Sequence, residues 1–430
     1  MRNSQHSQPI ESLSYDSIVS YLAQLKPWIV CLSAALFFFY DFMLMNMFNS
    51  INSEISLTFS LNATEVSLLS GLYPSATVLL LMVCGLLLDR YSTRKIILTA
   101  MFLFIMSTIG FACSQFLVQA AICRFIAGGT AAFCFLSCVM LASRWFKDNR
   151  LALITGLIVT MGMTGGTISQ APLKIIVELF GWRVSLLMIS LVGFLLWLIM
   201  FFTIADRPGQ RHWVQPEEAP TKSVKDSLWI AVSNPQNWIL GSYTSLMNVL
   251  ICVFGGLWGQ AYISSVYNLD GFSSSKVTTM IFLGTTLGSP ICGWISDTLR
   301  RRQLPMMLGS LISFLLVLTL MNLDHPSFEF LEFLFFALGF TTSSQVISYP
   351  AIFESNDSSV TGICESFSAT LIMSGYAVFP IIYGFLLDFN DHVTYVAQDH
   401  KLAFYILPLS LIISFILSLF VKETNCQSHK

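Results

Sequence analysis

Charge is what this sequence has least of. Asp, Glu, Lys and Arg make up 11% of its 430 residues, less than half of the roughly 25% found in an ordinary soluble domain. Hydrophobic residues make up 55%, and Phe alone occurs 36 times. So few polar groups cannot cover a globule, which excludes a soluble enzyme of one or two domains. A net charge of −2 offers no basic field for nucleic acid. Histidine is missing from every apolar run: His6, His212, His325, His392, His400 and His429 all read as tail or loop residues. Neither an HExxH nor a GxxxxGK[ST] motif occurs, so metal-assisted hydrolysis and phosphate cradling have no sequence support. The ten cysteines form no CxxC pair. All but Cys426 lie within or beside apolar runs, where cysteine packs as a small hydrophobe. No metal site, disulfide framework or cofactor is expected. Residues 1–26 lack the continuous apolar centre of a cleaved leader, so insertion through the first helix is expected.

What the sequence does have is apolar length. Runs at about 27–49, 66–88, 96–115, 119–141, 151–175, 184–204, 238–261, 274–296, 304–323, 328–350, 361–386 and 402–421 each approach the roughly 20 residues that cross a bilayer. They are continuously apolar and lack the alternation of barrel strands, so helices are expected. The reading is an all-α membrane protein of twelve transmembrane helices. Its expected parts are a tail (1–26), a six-helix bundle (27–204), a linker (205–236), a second six-helix bundle (237–421) and a second tail (422–430). Of the 22 Lys and Arg, 17 fall on the side of the N-terminus and 3 on the other, which places both termini in the cytoplasm. Within the linker, 227–230 reads either as an interfacial segment before Asn234-Pro235 or as unstructured chain.

One motif occurs twice. Gly85, Asp89, Arg90 and Arg94 after the second run correspond to Gly293, Asp297 and Arg300, Arg301 and Arg302 after the eighth, at a constant offset of 208. Two copies at matching places in two six-helix halves indicate parallel internal repeats, a transporter trait. Gly permits close helix approach, Asp suits a positive helix N-terminus, and the arginines suit carboxylate partners. Such contacts would latch one face shut, with Glu354 and Asp357 as partners for Arg90 and Arg94, and Asp148 for Arg300 to Arg302.

Gly85-x-Leu87-x-Asp89-Arg90-x-x-x-Arg94 resembles the loop 2–3 signature of the major facilitator superfamily, with Ser92 where the family usually has Gly. Gly293 to Arg302 resembles its loop 8–9 copy, and Arg124-Phe125-Ile126-Ala127-Gly128 its R-x-x-x-G element. The resemblance implies two pseudo-symmetric bundles around a midplane cavity lined by spans 1, 4, 7 and 10, with rocking alternating access. The fifth run is Gly-rich but has no Gly-Pro pair, an incomplete match to the family's antiporter signature. Tyr40-Asp41-Phe42, Gly71-Leu72-Tyr73 and Leu141 to Phe146 resemble a bacterial branch that includes intraphagosomal amino-acid transporters. Met45 and Asn46 stand where many relatives carry a basic residue.

Ionisable groups inside a membrane are expensive and usually functional. Asp41 and Arg124 both come out about 22 Å above the cytoplasmic side at 1.5 Å per residue, so an ion pair between them is expected. Arg124 would hold a substrate carboxylate, while Asp41 holds an ammonium or takes up the coupling proton. Glu332 and Glu365 are second-rank candidates, and Lys174–Glu178 reads as a local pair. Tyr40, Asn46, Tyr243, Asn248, Trp258, Gln260 and Gln345 are the expected polar positions of the cavity wall.

The function expected is secondary active transport of a small polar solute by a monomer in a bacterial inner membrane, proton-coupled, with no nucleic-acid partner. An amino acid or similar nutrient stands first as substrate. An organic-anion or siderophore importer and a drug/proton antiporter remain open, as does a non-transporting sensor. Asn62-Ala63-Thr64 is a glycosylation sequon in the first outer loop.

Overall fold

The computed structural model describes residues 15–146, 148–206, 224–323, 326–357, 360–389 and 395–426. Without water in the bilayer core, a crossing segment must satisfy its own backbone groups, and every described element is helical.

Six crossings make the first half. The first combines α1 (Tyr15–Met45) with α2 (Phe48–Phe59), and α3 (Ala63–Arg90) and α4 (Thr93–Ala112) follow as the second and third. The fourth pairs α5 (Leu117–Ala131) with α6 (Cys134–Trp145). The fifth is α7 (Asp148–Ile168), continued by the start of α8 (Ala171–Thr203). Gly181, at φ 76°, turns the chain inside α8 so that its remainder forms the sixth crossing. That left-handed conformation suits glycine.

After α9 (Val224–Ser233), the second half repeats the pattern. Its first crossing is α10 (Pro235–Met247), a π-helical stretch Leu250–Trp258, and α11 (Gly259–Tyr267). Next come α12 (Gly271–Leu299) and α13 (Gln303–Met321). The tenth crossing is α14 (Phe328–Thr342), a 3₁₀ stretch Ser343–Ile347, and α15 (Ser348–Glu354). Then α16 (Thr361–Asp388) crosses alone, and α17 (Ala397–Phe404) with α18 (Ile406–Leu419) ends the bundle.

The differences from expectation lie at ends and breaks. Residues 15–26, expected as a tail, are helical as the start of α1. In the linker, α9 includes the 227–230 stretch, with Trp229 exposed and Ala231 buried, as on an interfacial helix. His400 is not a loop residue. It lies in α17, fully buried, with Nδ1 3.2 Å from the Tyr383 hydroxyl. Apolar length cannot reveal where a helix breaks inside a crossing, because both segments remain apolar.

Small residues let the helices approach. A Cβ on Gly128 of α5 would overlap the Tyr73 backbone of α3. Gly284 of α12 and Gly339 of α14 likewise abut Phe336 and Ile281 backbone atoms, the close approach that glycine permits in membranes.

The halves meet through polar contacts on the face opposite the termini, here the far face. Asn49 donates to Gln170 at 2.5 Å and to Thr278 at 3.2 Å. Gln170 and Asn52 donate to the Gly255 and Leu257 carbonyls of the π-helical stretch at 2.9 and 3.3 Å. Trp258 donates to Ser67 at 3.1 Å, and the Gln260 amide to Asn49 at 2.9 Å. At the end of α16, Asp388 accepts from the Thr64 amide and hydroxyl (2.8 and 2.5 Å), the Ala63 amide (3.3 Å) and the Tyr395 hydroxyl (2.6 Å). These bonds cap the N-terminus of α3 from the other half, where a carboxylate is favoured. They also occupy Thr64 of the sequon, whose Asn62 side chain accepts from the Glu65 amide as the helix cap. The hydrogen bonds that Asn49, Asn52, Ala63, Thr64, Ser67 and Gln170 make with the second half lie on this face.

Candidate functional site

The site begins at the break between α1 and α2. The Asn46 side chain turns back onto the Phe42 carbonyl at 2.8 Å, and α1 stops at Met45. Breaking the ladder there leaves the Leu44 carbonyl available, and Arg124 Nη1 of α5 donates to it at 3.2 Å. The Arg124 guanidinium lies 4.6 Å from the Tyr73 ring centre and 4.8 Å from that of Phe48, an arrangement worth more when desolvated. Arg124 is 2% exposed, and its Nε and Nη2 have no hydrogen-bond partner. Beside it, Leu44, Met47, Phe104, Phe111 and Ala127 enclose a cavity with room for about one water.

Asp41, on the same helix as Leu44, is buried and accepts a short hydrogen bond from the Tyr73 hydroxyl. The expected direct ion pair is absent: among the described residues, Asp41 and Arg124 form no salt bridge. Tyr73 of α3 stands between them, with its hydroxyl on the carboxylate and its ring face on the guanidinium. Depth along the helices correctly suggested that the two charges share a level. It could not show that a third helix inserts an aromatic between them. The Gly71-Leu72-Tyr73 stretch was visible in the sequence, but nothing in its spacing marked Tyr73 as a site residue.

The other expected cavity residues divide. Asn46 faces the second half, with Oδ1 about 3.5 Å from where a Cβ on Gly256 would sit, and it has no partner there. Gln345 Oε1, in the 3₁₀ stretch, is also buried without a partner. Asn248 ends α10 at the start of the π-helical stretch. Trp258 and Gln260 belong to the far-face contacts, Trp258 being stacked on Tyr383 at 5.9 Å. Two do not line a cavity between the halves. Tyr40 turns into the first half, against Phe104 at 5.4 Å and against Gly193. The Tyr243 hydroxyl donates to the Met306 carbonyl at 2.9 Å and meets Ser344 at 3.1 Å, which fixes neighbouring helices of the second half. Glu332 is half-buried on α14 and forms no ion pair among the described residues. Glu365 lies near the start of α16, within electrostatic reach of Tyr349. Lys174 reaches Glu54 at 3.3 Å more closely than Glu178 at 4.0 Å, so it ties α8 to α2 and is not only a local pair.

The repeated motif also departs from expectation. The surroundings of Gly85 and the side chains of Asp89, Arg90 and Asp148 lie outside what the structure describes. Arg94 does not reach Glu354 or Asp357: its Nη2 donates to the Phe201 carbonyl at 2.8 Å, and its amide to Asp206 at 2.9 Å. Arg302 binds Glu354 at 2.7 Å and Asp297 at 2.6 Å. Burial opposes the Arg302 charge, but hydrogen bonds to Glu354 and Asp297 outweigh it and raise the pKa. Glu354 is thus held within the second half, and no cross-half latch forms through it. Arg300 takes the left-handed cap of α12 at φ 50°, and Arg301 donates its amide to Ser296. Gly293 would meet nothing within 4 Å if given a Cβ.

The two halves instead share a device that the motif did not reveal. Asp206, after the sixth crossing, accepts the Arg94 amide at 2.9 Å, and Glu423, after the twelfth, accepts the Arg302 amide at 2.8 Å. Each acid follows the last helix of its half by three or four residues, which was the only available sequence signal.

The Major Facilitator Superfamily profile matches residues 31–355 and 252–427. Among curated relatives, the chain is similar to the uncharacterised transporter YybO of Bacillus subtilis at 24% identity, covering 58% of this chain and 60% of that one. It is similar to the membrane sensor protein UhpC of Salmonella typhimurium at 24% identity, covering 63% of each. It also resembles a hexuronate transporter of Bacillus subtilis at 21% identity, covering 55% of this chain and 57% of that one. The chain therefore spans about 60% of the length of these relatives. The fold matches a bacterial homologue of the human lysosomal transporter Spinster, solved inward-facing and unoccupied, with a TM-score of 0.70 at 12% identity over 92% of this chain and 95% of that one. With twelve crossings in two repeated halves and a family profile covering nearly all of them, this chain belongs to the Major Facilitator Superfamily.

Proposed function

We propose that the chain carries a small organic anion, with Arg124 as the group that holds its carboxylate. The observation that carries this reading is the state of Arg124: a buried guanidinium with two nitrogens lacking acceptors, beside a water-sized cavity. A buried, unsatisfied cation is costly, and a carboxylate could accept from its planar fork in bidentate geometry. The relative named as a hexuronate transporter handles an acid of this class by its name, which favours the anion reading over the amino-acid one.

Asp41 is the proposed proton site. It touches Tyr73, which also faces Arg124, so anion binding at Arg124 changes the field at Asp41 through a shared neighbour. The excess of Lys and Arg on the terminal face supports cytoplasmic termini in a bacterial inner membrane. With the far face outside, the far-face bonds make this a conformation sealed on the outside. A monomer suffices, since the two halves enclose the site.

The test is uptake into proteoliposomes of labelled glucuronate, a dicarboxylate and an amino-acid mixture, with and without an inward proton gradient. Gradient-driven uptake of a carboxylate, lost in Arg124→Gln and not rescued by Arg124→Lys, is the expected result. Uptake confined to amino acids and dependent on a free amine would overturn it. The sensor reading, suggested by the name of one relative, predicts ligand binding without uptake of any of the three.

A further inference from the structure

An open groove on the first half lies away from the contacts between the halves. It holds about 440 Å³ on the outer flank of the first half, lined by Tyr91, Lys95, Ile96, Ala100, Leu103 and Phe133 among others. Lys95 lies in the first turn of α4 and Leu103 eight residues further on, so the groove runs about 12 Å along the helix. It starts at the terminal face, where α3 ends, and descends toward the membrane centre. Tyr91 and Leu103 are 58% and 46% exposed, so both ends open to the surroundings and not to the protein interior.

The groove follows a seam in the packing. Cys84, Leu88 and Ala132, with Ile96 and Phe133 against them, form a small apolar cluster separate from the main core, to which Ala100 belongs. The break between α5 and α6 falls beside Phe133, one of the residues that line the groove. An unfilled apolar seam forgoes dispersion contacts along its length, and in a bilayer an acyl chain is the adjacent material.

Charge marks the mouth. Arg94 and Arg144 nearby are engaged with Phe201, Thr93 and Asp206. Lys95 is exposed and has no ion-pair partner among the described residues. Tyr91 supplies an amphipathic ring at the same level, as is usual where headgroups begin. We propose that this groove holds one anionic phospholipid of the leaflet at the terminal face, its phosphate on Lys95 and one acyl chain along Ile96, Ala100, Leu103 and Phe133. The site is independent of Arg124 and of whatever solute is carried.

The test is native mass spectrometry of the full chain in detergent, titrated with phosphatidylglycerol or phosphatidylcholine of matched chains. The parent protein should retain a single phosphatidylglycerol in preference to phosphatidylcholine by about fivefold, the worth of one lysine near an anionic headgroup. Lys95→Gln should remove that preference, and Leu103→Trp, which fills the groove from its exposed end, should remove the bound lipid of either kind. Equal retention of the two lipids by the parent, or a Leu103→Trp protein that melts like the parent and binds lipid equally well, overturns the proposal. A retained adduct whose mass is that of detergent or free fatty acid also overturns it. Should Leu103→Trp fail to fold, Lys95→Gln at its exposed position decides alone.

Discussion

Replacing Asp388 with Asn should unlock the far face. The carboxylate accepts from two helix amides, a threonine hydroxyl and a tyrosine hydroxyl, all but the last from α3 in the other half. Asn keeps one oxygen as acceptor, so it loses the bonds of the other oxygen together with the charge. Hydrogen bonds to a charged group are worth about 1.5–3 kcal/mol each, and the helix N-terminus adds about 0.3–1 kcal/mol. Allowing for the acceptor that remains, the sealed conformation should lose about 2–3 kcal/mol relative to any state in which α3 and α16 part at this end. At 1.4 kcal/mol per decade, that is a shift of about 30- to 150-fold in the ratio of the two states. Spin labels on Leu57→Cys and Glu329→Cys, both exposed and near the far face in opposite halves, report the change by double electron–electron resonance. A second, longer distance should appear in Asp388→Asn and be absent or minor in the parent. If the distribution is unchanged while the protein still transports, Asp388 is only a local cap and the reasoning fails.

Two further substitutions probe the site and its frame. Tyr73→Phe keeps the ring on Arg124 but removes the hydroxyl that Asp41 accepts, so proton-driven accumulation should fall about tenfold or more while solute exchange persists. Equal loss of both activities, or of neither, would disconnect Tyr73 from coupling. Glu354→Ala leaves the buried Arg302 with Asp297 and Ser296 alone, and breaking a buried pair costs about 3–5 kcal/mol. Its thermal denaturation in detergent should therefore fall by several degrees, whereas the same change at the exposed Glu329 should have little effect.

How much of this was legible in the sequence depends on the kind of information asked for. Asp41 and Arg124 stood out because a charge inside an apolar run is rare, and the rarity is itself the signal. Tyr73 did not stand out, because a tyrosine in an apolar run is ordinary until its hydroxyl is found on a carboxylate. Tyr40 and Tyr243 illustrate the converse: both are amphipathic and correctly spaced on their helices, yet both bury their hydroxyls inside one half. Arg94 and Arg302 could be predicted to seek carboxylates. Instead the Arg94 guanidinium meets the Phe201 carbonyl and the Arg302 guanidinium meets Glu354, partners set by where helices end in three dimensions and far away in the chain.

The twelve crossings, the two repeated halves and the membrane itself were determined by the sequence alone, because lipid imposes a length and a polarity on any segment that crosses it. Only the tertiary structure decided which face is closed, where Tyr73 falls between two charges, and that a groove opens beside the broken fourth crossing. Those outcomes follow from helix breaks and from packing between distant segments, and neither leaves a periodic trace in a run that is apolar throughout.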